Sequence, residues 1–236
     1  RTVQIVDFIK KFGIPVVIGG VHATIAPEEV IQVDGIFGLC RGEGEHALLD
    51  LVEALEKKKD YTKIKNWWFK SVDGRIIKNS VRPLIQDLDI LPFADYDIFG
   101  HQTFINAFGV LQVFANRGCP YQCSYCINPT LMRLYRGKGR LVRFRKVNKL
   151  MDELLILKQG FKDVKTIEFF DDTFILNTQW LQKFAELYPK KIGVPFRCNA
   201  RANLVTPKAV QLLKKAGCYM VNMAIETGNE QLRINI

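Results

Sequence analysis

From residue 109 onward the chain repeats one pattern four times: a short apolar run, a polar loop, then apolar residues at helical spacing. The runs are "GVLQVFA" (109–115), "VKTIEFF" (164–170), "PFRCN" (195–199) and "YMVNMAI" (219–225). Runs this short, bounded by loop residues, read as buried strands. The spacing between them predicts three helices. The first, over 147–158, turns Leu150, Met151, Leu154 and Leu157 inward and stops before Gly160. The second is capped by Asn177 or Thr178 and ends before Pro189. The third is opened by Thr206 and Pro207 and closed by Gly217. Alternation of buried strand and helix predicts an α/β fold with a parallel sheet, because a crossover helix must return the chain before each parallel strand begins.

A related rhythm opens the chain. Residues 2–12 carry Val3, Val6 and Ile9 at helical spacing, and Ile14 to Ile18 reads as a buried strand broken by Gly19 and Gly20. Pro27 opens a short helix, "GIFGL" (35–39) is a second strand, and "RGEGE" is a turn. Residues 45–57 form a helix with Leu48, Leu51, Val52 and Leu55 expected inward and acid and base at its favourable ends. Residues 59–108 break the pattern. "IKNWWFKSVDGRIIKN" is a hairpin turning at Asp73 and Gly74, with Trp67 and Trp68 as its anchors. "RPLIQDLDILPFADYDIFG" is an aperiodic linker expected to pack on both neighbours. Three segments follow: 1–58, 59–108 and 109–236. The start at Arg1, inside an amphipathic pattern, and the stop at Ile236, in a first helical turn, lead us to expect a piece of a longer protein.

Composition narrows the class. Of 236 residues, 48% are apolar and 25% charged, as in a globular domain. No apolar run approaches the ~20 residues a membrane span needs, and no signal peptide opens the chain. Cys40, Cys198 and Cys218 lie singly in apolar stretches and read as buried small hydrophobes, a usage that fits a reduced, cytoplasmic setting. His46 and His101 read as an ordinary helix-start residue and an ordinary linker residue. The net charge of +10 is concentrated in "MRLYRGKGRLVRFRK" (132–146). That stretch is expected to be a covering loop with one anion contact. A nucleic-acid partner is disfavoured, because no recognised RNA-binding module accompanies the charge.

Parallel βα repeats gather ligands at the carboxyl ends of their strands. Here the first strand runs into Cys119, Cys123 and Cys126, the second into Asp171 and Asp172, the third into Asn199 and Arg201, and the fourth into Glu226. All four ends are expected to line one mouth. Three thiols in eight positions bind zinc or an iron–sulfur cluster. Structural zinc wants four ligands, and neither a second cysteine pair nor a histidine lies close by. An iron–sulfur cube on three cysteines leaves one iron open to a small molecule.

The C-x3-C-x2-C loop, with aromatic Tyr125 before its last cysteine and a strand before its first, resembles that of the radical S-adenosylmethionine (SAM) enzymes over about 109–236. "IPVVIGGVHATIAPEEVI" with "GLCRGEGEHALLDLVEAL" is similar to the second half of the Rossmann-like cobalamin-binding domain that often precedes their partial (β/α) barrel, joined by a linker like "DLDILPFADYD". The resemblance implies a [4Fe–4S] cluster on Cys119, Cys123 and Cys126. It implies SAM held by Asp171 or Asp172 through its ammonium, by Arg201 through its carboxylate with Asn199 bonding nearby, and by Glu226 through its ribose. For Asp171, Asp172 and Glu226 the alternative is a helix-entry acid, and for Arg201 a surface arginine. It also implies cobalamin near Gly19, Gly20, His22 and the Gly42–Glu43–Gly44 turn. Arg143 and Arg145 resemble an arginine-bearing segment of the cobalamin-dependent members. The implied activity is reductive SAM cleavage with methyl transfer to an unactivated centre. The implied partners are a flavodoxin or ferredoxin as electron donor and a small-molecule, lipid or peptide substrate. Ring formation or rearrangement with a vestigial cobalamin domain, and a non-catalytic zinc- or RNA-binding protein, are the alternatives.

Overall fold

The computed structural model describes residues 2–71 and 73–235; the readings attached to Arg1 and Ile236 lie outside the described residues, as does Val72 of the hairpin. In chain order the strands are β1 (Val16–Ile18), β2 (Ile36–Cys40), β3 (Trp67–Lys70), β4 (Ile76–Lys78), β5 (Val110–Val113), β6 (Asn116–Arg117), β7 (Arg143–Phe144), β8 (Thr166–Phe169), β9 (Phe196–Asn199) and β10 (Cys218–Asn222). The helices are α1 (Thr2–Lys10), α2 (Val21–Ile25), α3 (Pro27–Val30), α4 (Glu45–Glu56), α5 (His101–Phe108), α6 (Asn128–Leu134), α7 (Val147–Gly160), α8 (Thr178–Lys191), α9 (Pro207–Ala216) and α10 (Glu230–Ile234). They form two compact units. The first runs to Ile85 and takes in Gln122–Arg140; the second comprises Gln86–Tyr121 and the chain from Leu141 onward.

The first unit has a four-stranded sheet in the order β1-β2-β3-β4. β1 and β2 are parallel, and β2–β3 and β3–β4 are antiparallel. The hairpin therefore extends the opening parallel pair rather than sitting in a separate 59–108 segment. The period of two explains this. Trp67 and Phe69 pack on one face with Cys40, Ala47 and Leu51, while Trp68 packs on the other with Val6, Ala23 and Leu39. Three consecutive aromatics are thus buried, and the Trp67 Nε1 donates to the Ala47 carbonyl at 2.7 Å. α4 departs from its expected face. It buries Ala47, Leu51 and Ala54 and exposes Leu48, Val52 and Leu55. The small alanines let the helix lie close enough for that tryptophan bond, and close approach outweighs the larger apolar side chains.

The second unit carries the repeat. Its sheet runs β10-β9-β8-β5 with every pairing parallel, so the four expected strands lie side by side in sequence order. α7, α8 and α9 cover one face, where Leu111, Val113, Ile167, Phe169, Phe196 and Cys198 meet Leu150, Leu154, Phe184, Tyr188 and Leu213 in a single core. Asn177 caps α8 through the Trp180 amide, and Thr206 caps α9 through the Ala209 amide. α8 does not end before Pro189 but runs through it to Lys191. A proline in the last turn forfeits one N–H bond, and the helix still closes with the Tyr188 carbonyl accepting the amides of Ile192 and Gly193. Within the expected linker, α5 forms between Gly100 and Gly109, both in the left-handed region, and buries Ile105. Among the described residues no helix is long and apolar enough to cross a membrane.

Candidate metal centre and strand-end site

β5 leads directly into the cysteine loop, and three features shape its entry. β6 pairs antiparallel with β7. Gly118 adopts φ +84°, where a Cβ would stand 2.5 Å from the Leu141 carbonyl oxygen. Asp171, at the end of β8, reaches under the loop to accept the amides of Ala115, at 3.0 Å, and Asn116. Asp171 is buried, and burial pushes its carboxyl up to about 7 against the opposing pull of those amides. Its second oxygen, Oδ2, is buried without a hydrogen-bond partner among the described residues.

Cys119 is buried, with its Sγ 4.0 Å from the Thr173 Oγ1; Cys123 and Cys126 are half-buried. The Sγ of Cys126 accepts from the backbone amide of Asn128 at 3.5 Å and from its Nδ2 at 3.4 Å. Two N–H donors on one sulfur suit a thiolate bound to a metal, whose negative charge they stabilise. The donor set therefore fits an iron–sulfur cluster. Among the described residues no group of three His, Cys, Asp or Glu side chains that could hold a metal ion is found. The loop is also divided, Cys119 lying in the second unit and Cys123 and Cys126 in the first.

The remaining strand ends meet this loop unevenly. Asp172 is exposed, unlike Asp171. Asn199 donates from Nδ2 to the Asp171 carbonyl at 3.1 Å and accepts from Asn222 at 3.3 Å. The guanidinium of Arg201 lies 4.0 Å from the ring centroid of Tyr121, whose hydroxyl accepts from Asn203 at 3.1 Å. Glu226 is exposed with φ +66°, four residues beyond β10. On the sheet face opposite the helices, Glu168 takes Arg197 through Nη2 at 2.8 Å and Gln112 at 3.4 Å, and the rings of Phe114 and Phe170 sit 6.3 Å apart. The basic stretch contributes a half-buried Arg145 paired with the buried Glu153, and a buried Arg143 whose Nε donates to the Leu141 carbonyl at 3.1 Å.

In the first unit Gly20 begins α2 at φ +93° with open space where a Cβ would stand, and His22 is exposed. The Gly42–Glu43–Gly44 turn is packed by protein. The Glu43 amide donates to the Tyr135 hydroxyl at 3.0 Å, and its carboxylate accepts from the Ile85 amide at 2.9 Å. Sequence reasoning missed Thr173, Asn128, Tyr121, Asn203 and Tyr135. Of these only Asn128, two residues after a cysteine, carried a local signal.

Residues 113–236 match the family model described as the Radical SAM superfamily. The chain belongs to that superfamily. It is 30% identical over 222 residues to an uncharacterized methyltransferase of Pyrococcus horikoshii, covering 92% of this chain and 46% of that one. It is 28% identical over 247 residues to the anaerobic magnesium-protoporphyrin IX monomethyl ester cyclase of Rubrivivax gelatinosus, covering 100% and 42%. The chain therefore spans less than half the length of these relatives. Among solved structures, the radical SAM methyltransferase TsrM of Kitasatospora setae, with tryptophan and a SAM analog bound, matches with a TM-score of 0.76 at 19% identity over 98% of this chain and 45% of that one. The cobalamin-dependent radical SAM enzyme OxsB, with aqua-cobalamin and SAM bound, matches at 0.74 and 21% over 97% and 34%. At these identities the likeness is one of fold.

Proposed function

We propose that the full-length protein is a radical SAM enzyme that holds a [4Fe–4S] cluster on Cys119, Cys123 and Cys126 and uses it for cobalamin-dependent methyl transfer to an unactivated centre. The observation that carries this is the C-x3-C-x2-C loop at the carboxyl end of the first of four parallel strands, with Asn128 donating twice to Cys126. Cluster and SAM together supply the electron and the carbon-centred radical that an ordinary side chain cannot.

The chain's own residues bind and orient. Asp171 holds the entry of the cysteine loop through two amides, and the exposed Asp172 accepts from the SAM ammonium. Arg201, steadied on the Tyr121 ring, pairs with the SAM carboxylate with Asn199 beside it, and Glu226 accepts from the ribose hydroxyls. The first unit is the second half of a cobalamin-binding domain, in which the open space at Gly20, between Gly19 and His22, gives room for a nucleotide tail. A flavodoxin or ferredoxin serves as electron donor, the substrate is a small molecule, lipid or peptide, and the setting is the cytoplasm. The similarity to a cyclase supports ring formation as the second reading.

The test is anaerobic reconstitution of the full-length protein. About four irons should bind, and Ala at Cys119, Cys123 or Cys126 should abolish the thiolate–iron absorbance while Ala at Cys40 or Cys198 leaves it. Reductant and SAM should yield 5′-deoxyadenosine. Cobalamin retained through gel filtration, lost on Gly20→Val, separates methyl transfer from the ring-forming reading. Equal iron loss from Cys40→Ala would sink the cluster assignment.

A further inference from the structure

We propose that the Gly42–Glu43 turn anchors the segment carrying Cys123 and Cys126, with Tyr135 as the positioning residue. The inference rests on the reading that those two cysteines are cluster ligands. α6 begins two residues after Cys126 and delivers Tyr135 directly beyond its last residue. Tyr135 is buried, and its hydroxyl accepts the Glu43 amide at 3.0 Å. The fit admits nothing larger than glycine opposite the ring: Gly42 sits at φ +75°, and a Cβ there would lie 1.7 Å from the Tyr135 oxygen. Thr24 braces the turn from behind. Its Oγ1 accepts the Gly42 amide at 2.9 Å and donates to the Gly20 carbonyl at 2.7 Å. A second fastening lies three residues past Tyr135, where the Lys138 carbonyl accepts the Leu84 amide at 2.8 Å and its Nζ donates to the Val81 carbonyl at 2.6 Å.

One end of α6 is thus fixed to the first unit, and the other end presents Asn128 to Cys126. A short helix is a stiff strut, so fixing Tyr135 limits where the two half-buried thiols can go. Ordering a ligand loop costs conformational entropy each time a cluster is assembled, and an anchor made during folding removes part of that cost beforehand. The turn that the family resemblance implies lies near a cofactor tail has this second use.

The experiment uses the full-length protein with Tyr135→Phe and, from the other side of the turn, Thr24→Val, which keeps shape and removes the acceptor. Iron-free protein is treated with iodoacetamide under argon, and the alkylation rate of each cysteine is read by mass spectrometry. In both variants Cys123 and Cys126 should react roughly fivefold faster relative to Cys119, the ratio expected for one lost hydrogen bond. Iron held against a chelator should fall in step. Ile31→Val, a core change in the same unit, should lower the unfolding midpoint without moving the ratio. An unchanged ratio in both variants overturns the anchor, as does an equal change in Ile31→Val. Wild type that binds no iron overturns the cluster reading instead, and the alkylation ratio still decides the anchor.

Discussion

Asp171 and Asp172 are neighbours in the chain and opposites in environment. One is enclosed and bound to the amides of Ala115 and Asn116; the other faces water. The consequence for Asp171 is a pH dependence whose sign can be worked out. Burial raises its folded-state value from 3.8 to about 7, so the folded chain holds a proton that the unfolded chain has lost over that interval. Stability from this group is present below about pH 4 and is lost as pH rises through about 7, at ~1.4 kcal/mol per unit and ~4 kcal/mol at most. Unfolding midpoints of wild type and Asp171→Asn, compared from pH 4.5 to 7.5, should show a falling contribution in wild type that the variant lacks. Parallel curves would mean that Asp171 ionises normally. Asp172→Ala should leave stability within ~0.5 kcal/mol and weaken SAM binding, measured by equilibrium dialysis on the full-length protein.

The cysteine loop as an element depends on backbone that only glycine supplies. Gly118 and Gly137 both lie at positive φ, but a Cβ at Gly118 meets the Leu141 carbonyl at 2.5 Å whereas one at Gly137 meets nothing within 4 Å. Gly137→Ala should therefore cost only the left-handed conformation, ~1–2 kcal/mol. Gly118→Ala should cost more, because the β6–β7 ribbon must also open. Denaturant unfolding of the two variants gives the comparison, and iron content in the full-length protein should fall for Gly118→Ala alone. Equal costs would show that the ribbon yields without penalty. The same logic explains why α4 turns alanines inward: at short range the approach of backbone, not side-chain size, decides which face is buried.

At the scale of the whole molecule, the chain leaves large apolar side chains in water. On α1 and just beyond it, Val3, Ile5, Phe8 and Phe12 are each at least half exposed, and on and after β10 Tyr219, Met220, Met223 and Ile225 are likewise open. Exposed apolar side chains drive association, and a parallel strand at the edge of its sheet adds unpaired backbone groups. The 236-residue chain should accordingly self-associate at micromolar concentration. Phe8→Lys with Phe12→Lys should reduce the associated fraction in light scattering without altering the circular dichroism of the fold. A monomeric wild type would show that these side chains are covered in solution.

Much of this could be read from residue order. Buried runs of β-formers separated by capped amphipathic stretches specify parallel βα repeats, since period and capping are local properties, and all four strands of the second unit lie where their apolar runs place them. The three clustered thiols likewise raise the expectation of metal chemistry by spacing alone. Tertiary structure decided what depends on partners distant in sequence. It joined the hairpin to the first sheet, because Trp67 and Trp68 needed two different cores. It committed Asp171 to backbone amides 55 and 56 residues away and placed Asp172 at the exposed surface. It filled the Gly42–Glu43 turn with Tyr135, 92 residues beyond Glu43. A hydrogen bond across such a separation leaves no periodic trace, because its geometry exists only after the chain has folded.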